Sequence, residues 1–171
     1  MVPETFYQTV AQLSFTLLGL WWLVLQTKYD EWIHHRIRRR MATNITLYFL
    51  LPGSMSLLAL LATNSRLLWQ IAFILAAIIG AATTAFFLRD ARASQWRNPW
   101  SIRIIHIASG VGLALYALVI VVALLPDAIR SLGVAPLTVA GIGVTLLVIV
   151  GVTLAWTYFI EPFAPARSPG P

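Results

Sequence analysis

The chain has 171 residues and a net charge of +6, from 12 Lys+Arg against 6 Asp+Glu. Hydrophobic residues make up 59% of it and charged residues 11%, with a mean hydropathy of +0.80. Soluble domains carry about a quarter charged residues, so this composition excludes a water-soluble globule and points to an integral membrane protein. There are no cysteines, which excludes disulfides, thiolate catalysis, iron–sulfur clusters and cysteine-ligated zinc or haem.

The first apolar segment covers residues 5–26, long enough to cross a bilayer as a helix. The residues before it, Met1-Val2-Pro3-Glu4, lack the basic start of a secretory signal peptide, so the segment is expected to stay in the protein. Its polar residues are patterned. Thr5, Gln8, Thr9, Gln12 and Thr16, with Gly19, fall within an arc of about 100° on a helix, and Ser14 lies opposite. Two glutamines are costly against lipid, so the stripe is expected to face something polar. Three arrangements satisfy that: hydrogen bonds to other helices of the same bundle, a pore at the axis of a homo-oligomer, or a substrate cavity within one bundle.

A basic run follows, with Lys28, Arg36, Arg38, Arg39 and Arg40 and the pairs Asp30/His34 and Glu31/His35 at i,i+4. It reads as a cytoplasmic segment, residues 28–42, that contacts anionic headgroups. It is either an extension of the first helix or an interfacial amphipathic helix. In a pore it would form a basic mouth, with Glu4 at the other end.

The second segment covers residues 43–62 and carries Pro52-Gly53-Ser54 near its middle. A kink is expected there, with Pro52 and Gly53 as a candidate hinge and Ser54 and Ser56 compensating freed carbonyls. Residues 63–66 form a tight turn into the third segment, residues 67–88. That segment carries two ridges of small residues, Ala77/Ala81/Ala85 and Ala76/Gly80/Thr84, which suit close helix packing. The fourth segment covers residues 102–125 and follows Arg97-Asn98-Pro99, a helix-entry turn. The fifth covers residues 136–160, and the proline-rich residues 162–171 read as a disordered tail.

The fold class is therefore all-α, a single domain of five transmembrane helices spanning residues 1–161. In this layout ten basic residues (Lys28, Arg36, Arg38, Arg39, Arg40, Arg89, Arg92, Arg97, Arg103 and Arg167) fall on one side. Only Arg66 and Arg130 fall on the other. The positive-inside rule then places the N-terminus outside and the C-terminus in the cytoplasm of a multi-pass protein of the cell membrane. Trp21, Trp22, Trp96, Trp100 and Trp156 are expected at the inner interface and Trp69 at the outer one.

Catalytic chemistry finds little support. The acidic residues Glu4, Asp30, Glu31, Asp90, Asp127 and Glu161 all fall at or beyond helix ends, which argues against a carboxylate proton relay. His106 is the one histidine near the membrane, and no paired ligand at its depth is evident. No nucleotide-binding or hydrolase motif is present. No enzyme activity, cofactor or metal is expected. Five helices and seven tryptophans are superficially similar to the tryptophan-rich sensory/translocator protein family. The first loop here is a histidine/arginine run, so no ligand or residue is carried over. The functional expectation is a small homo-oligomeric channel lined by helix 1, with Thr5, Gln8, Thr9, Gln12 and Thr16 in the pore. Glu4, Arg36, Arg38, Arg39 and Arg40 would stand at its mouths or on lipid headgroups. The alternative is a non-catalytic accessory or scaffold subunit whose polar helix packs on a partner.

Overall fold

A computed structural model describes residues 4–27, 29, 35–62, 66–92 and 99–160. These residues form six helices: α1 (Glu4–Thr27), α2 (Arg36–Leu61), α3 (Arg66–Arg92), α4 (Pro99–Leu124), α5 (Pro126–Ser131) and α6 (Pro136–Ile160). All but the short α5 are long and apolar enough to cross a membrane, as a polytopic membrane protein requires. The turn at residues 63–65, most of the basic run before His35, Arg97-Asn98 and the tail lie outside the described residues.

Four of the spans close into a ring. α2 packs on α3, α3 on α4, α4 on α6, and α6 back on α2. The centre is filled by Tyr48, Tyr116, Phe73, Phe87, Met55 and Leu147, all fully buried. α1 stands outside this ring. It lies along α2 and touches α6 only lightly.

Small residues set the close approaches, as the third segment suggests. Gly80 faces the Tyr116 ring, Gly112 faces the Tyr48 hydroxyl, and Gly151 faces Tyr48 and Phe49. Of the two small-residue ridges on α3, Ala77, Gly80 and Thr84 turn into the bundle, while Ala85 is exposed.

Three features differ from these expectations or add to them. First, α2 begins at Arg36, not at residue 43. The arginines are its opening turns and not a separate loop. Cations are unfavourable at a helix N-terminus, and two contacts compensate. Arg40 pairs with Asp90 of α3, and the Arg38 guanidinium lies 5.3 Å from the centre of the Tyr158 ring on α6. Second, Pro52 and Gly53 are buried within one continuous helix. A Cβ on Gly53 would meet Phe15 and Ser14 of α1 at 3.1–3.2 Å. The position is a packing notch for α1. Ser54 donates to the Leu50 carbonyl at 2.8 Å, not to the carbonyl of residue 48 that Pro52 leaves without a donor. Third, Trp21 and Trp69 are buried in the bundle and do not form an outward-facing belt. The Trp21 indole donates to Thr46 Oγ1 at 3.1 Å, and its ring meets Tyr158 edge-on at 5.3 Å. Trp22, Trp100 and Trp156 are exposed, as an aromatic belt needs.

At the opposite end, α5 fills what the sequence suggested was a plain loop. Pro126 starts it, and Asp127 in its first turn accepts from Arg66 at 2.7 Å. Gly133, at φ +78, ends it in a conformation that favours glycine.

Candidate functional site

The polar stripe of α1 faces away from the bundle. Thr5, Gln8, Thr9, Gln12, Thr16 and Gly19 are all exposed, while Tyr7, Val10, Ala11, Ser14 and Trp21 on the other face are buried. The buried face is fixed by two points near its N-terminal end. The Tyr7 hydroxyl donates to the Leu137 carbonyl at 2.6 Å, and the Phe6 ring fills the space beside Gly141.

The stripe is chemically uneven. Thr9 donates to the Thr5 carbonyl at 2.7 Å and Thr16 to the Gln12 carbonyl at 2.8 Å. Those hydroxyls use their protons on their own helix and present oxygen outward. The side-chain amides of Gln8 and Gln12 make no hydrogen bond among the described residues. Among the described residues the stripe makes no hydrogen bond to another helix.

The stripe also runs further than expected. α1 continues to Thr27, and at about 100° per residue Gln26 and Thr27 fall on the same face. Both are exposed. The one large apolar residue on that arc is Leu23, 59% exposed.

The residues expected at the mouths or on headgroups separate into two kinds. Glu4, Arg36 and Arg39 are exposed. Arg38 and Arg40 are half-buried and engaged with Tyr158 and Asp90. His35 stands at the N-cap of α2, and its carbonyl accepts from Arg39 N at 3.0 Å. His106 Nδ1 lies 2.8 Å from the Ile102 carbonyl, a local bond on its own helix.

A second polar cluster sits inside the ring. Thr84 Oγ1 lies 3.2 Å from Asn44 Oδ1 and 3.3 Å from the Tyr48 hydroxyl. Thr84 has a single proton and serves one of them at a time. The Tyr48 and Tyr116 rings are 5.7 Å apart. Asn44 Nδ2 and the Tyr116 hydroxyl are buried with no hydrogen-bond partner among the described residues. Sequence reasoning passed over this cluster. Its signal was the i,i+4 spacing of Asn44/Tyr48, Gly80/Thr84 and Gly112/Tyr116, each a polar or small pair in an apolar span.

Beside this cluster a cavity of about 260 Å³ opens between α2 and α3, lined by Arg40, Thr43, Asn44, Thr83, Phe86 and Phe87. A larger one, about 370 Å³, lies at the opposite end, between Trp69, Arg130 and residues 133–137.

No family model, curated protein or solved structure matches the chain.

Proposed function

We propose that the chain is the subunit of a small homo-oligomeric channel of the cell membrane, with the α1 stripe of each copy turned toward a shared pore. One observation carries this reading: an uncharged polar face along a spanning helix is exposed, and its glutamine amides have no partner among the described residues. A polar face toward lipid costs free energy at every residue. An aqueous path between copies removes that cost. The centre of the four-helix ring is filled by side chains, so the path belongs between subunits and not through one. Gln8, Gln12 and Thr16 offer amide and hydroxyl groups that replace part of a permeant's hydration shell. Glu4 at one end, and Arg36 and Arg39 at the other, set the charge at the mouths. The basic end faces the cytoplasm in this reading.

The absence of cysteines gives a direct test. Single cysteines at Gln12 and Thr16 are oxidised in native membranes, with Ser14→Cys as the buried control. A disulfide needs Cα atoms within about 7 Å. Efficient dimer formation at Gln12 or Thr16 and none at Ser14 is the expected result. Copies that fail to crosslink, in a protein that conducts nothing after reconstitution, would sink the channel. A stoichiometric partner protein crosslinked to the same cysteines would instead establish an accessory subunit.

A further inference from the structure

We infer that the cavity between α2 and α3 at the basic end is a binding site for an anionic phospholipid. In this site Arg40 holds the phosphate and the Asn44 amide donates to a glycerol ester carbonyl. The inference does not depend on conduction.

The cavity's donors are few and well defined. Thr43 gives its proton to the Arg39 carbonyl at 3.0 Å, and Thr83 gives its own to the Ile79 carbonyl at 2.8 Å. That leaves Arg40 and Asn44 as the donors among the lining residues. Arg40 pairs with Asp90, and a guanidinium has five N–H groups, more than one carboxylate can accept. Asn44 is 2% exposed. Its Oδ1 lies 3.2 Å from Thr84 Oγ1, while its Nδ2 has no partner. A buried N–H₂ without an acceptor is unfavourable in hydrocarbon, where no water replaces the lost bond.

Position and charge identify the ligand. Asn44 follows Arg40 by one helical turn, about 6 Å deeper into the bilayer. A glycerophospholipid presents its oxygens in that order, phosphate first and ester carbonyl beneath. Phe86, 62% exposed, offers the acyl chain an aromatic wall. Arg36, Arg39, Arg89 and Arg92 are exposed at the same end, and each cation near the surface favours an anionic lipid.

The test uses the whole chain in nanodiscs of equal phosphatidylglycerol and phosphatidylcholine, released into native mass spectrometry. The wild type is expected to retain phosphatidylglycerol about fivefold or more over phosphatidylcholine, as one cation facing a phosphate that no choline offsets would produce. Asn44→Leu removes the ester donor, which both lipids use, and is expected to lower bound lipid of either kind. Thr83→Trp fills the cavity and leaves every charge in place. It is expected to lose the preference for phosphatidylglycerol, while helical circular dichroism stays unchanged in both variants. Arg130→Gln, an exposed cation at the opposite end of the bundle, is expected to keep that preference. If Asn44→Leu does not fold, Thr83→Trp alone decides. Equal retention of the two lipids by the wild type overturns the site. So does a Thr83→Trp variant that behaves as wild type, or an Arg130→Gln variant that loses as much. Displacement of the lipid by excess inorganic phosphate overturns the lipid assignment in favour of a free anion.

Discussion

The Tyr48 hydroxyl occupies the space that a side chain on Gly112 would need, on the helix diagonally across the ring. Tyr116 does the same to Gly80. Each tyrosine is fully buried, and each is admitted by the absence of one Cβ. Gly112→Ala is therefore expected to destabilise the bundle by about 1–3 kcal/mol, the usual cost of overpacking. Tyr48→Phe removes the atom nearest the new methyl and is expected to recover part of the loss in the double variant. Reversible unfolding in mixed micelles measures this coupling. Strict additivity of the two changes would contradict the fit.

Gly53 is one contact point between α1 and the ring, through Phe15 and Ser14. Gly53→Leu is expected to loosen α1 while the four-helix ring stays folded. Crosslinking between Gln12→Cys copies should fall, and the melting temperature of the ring should change by only a few degrees, for a shift of about 1 kcal/mol. Collapse of the whole fold would show that α1 is more than an addition.

Leu23 is the one large apolar side chain on a face that otherwise reads Thr, Gln, Gly. In the proposed channel it would form a hydrophobic ring, the kind of constriction that gates by losing water. Leu23→Ser is expected to raise the conducting fraction, and Gln12→Leu to abolish or sharply reduce flux, in liposome assays. A Leu23→Ser channel no different from wild type would remove the gate and leave the pore assignment standing.

At the other end, Asp127 is held below the usual aspartate value of 3.8, chiefly by the hydrogen bond from Arg66, with the charges of Arg66 and Arg130 adding to it. A carboxyl lowered on folding stabilises the fold above its ordinary pKa, and that contribution is lost as the pH falls through the lowered value. The contact is exposed and screened, so its effect is small. Asp127→Asn is expected to remove the difference in melting temperature between pH 6 and acid below pH 3.8 that this pair contributes. An unchanged acid response in that variant would assign it to other carboxylates.

The spans were legible because about 20 apolar residues in a row leave a helix few alternatives in a bilayer. The fifth segment, residues 136–160, is reproduced to the residue by α6. The stripe was legible for a similar reason: Thr5, Gln8, Thr9, Gln12 and Thr16 differ from their neighbours at a helical period. Which way it faced was not, since periodicity groups residues on a face without naming what covers it. The start of α2 was misjudged because Arg36 to Arg40 are charged, and a hydropathy pattern registers charge as the end of a span. An ion pair with Asp90, fifty residues later, is invisible to that pattern. Asn44 was passed over, and Thr84 was read only as a small residue of a packing ridge. Their partnership exists only once α2 and α3 lie side by side.

The ring of four has a chronology built into it. Helices emerge from the ribosome in order, and α2 meets α3 at once, as α3 meets α4. The surfaces of α2 and α4 that α6 covers stay open until the last span arrives. Tyr48 and Phe49 wait for Gly151, and Tyr7 on the first helix waits for Leu137. The newest segment is thus the keystone, and a nascent chain halted before residue 136 holds an unclosed arc of three helices with a fourth resting against its side. Such a chain presents to insertion and quality-control factors the same flanks that the finished protein hides.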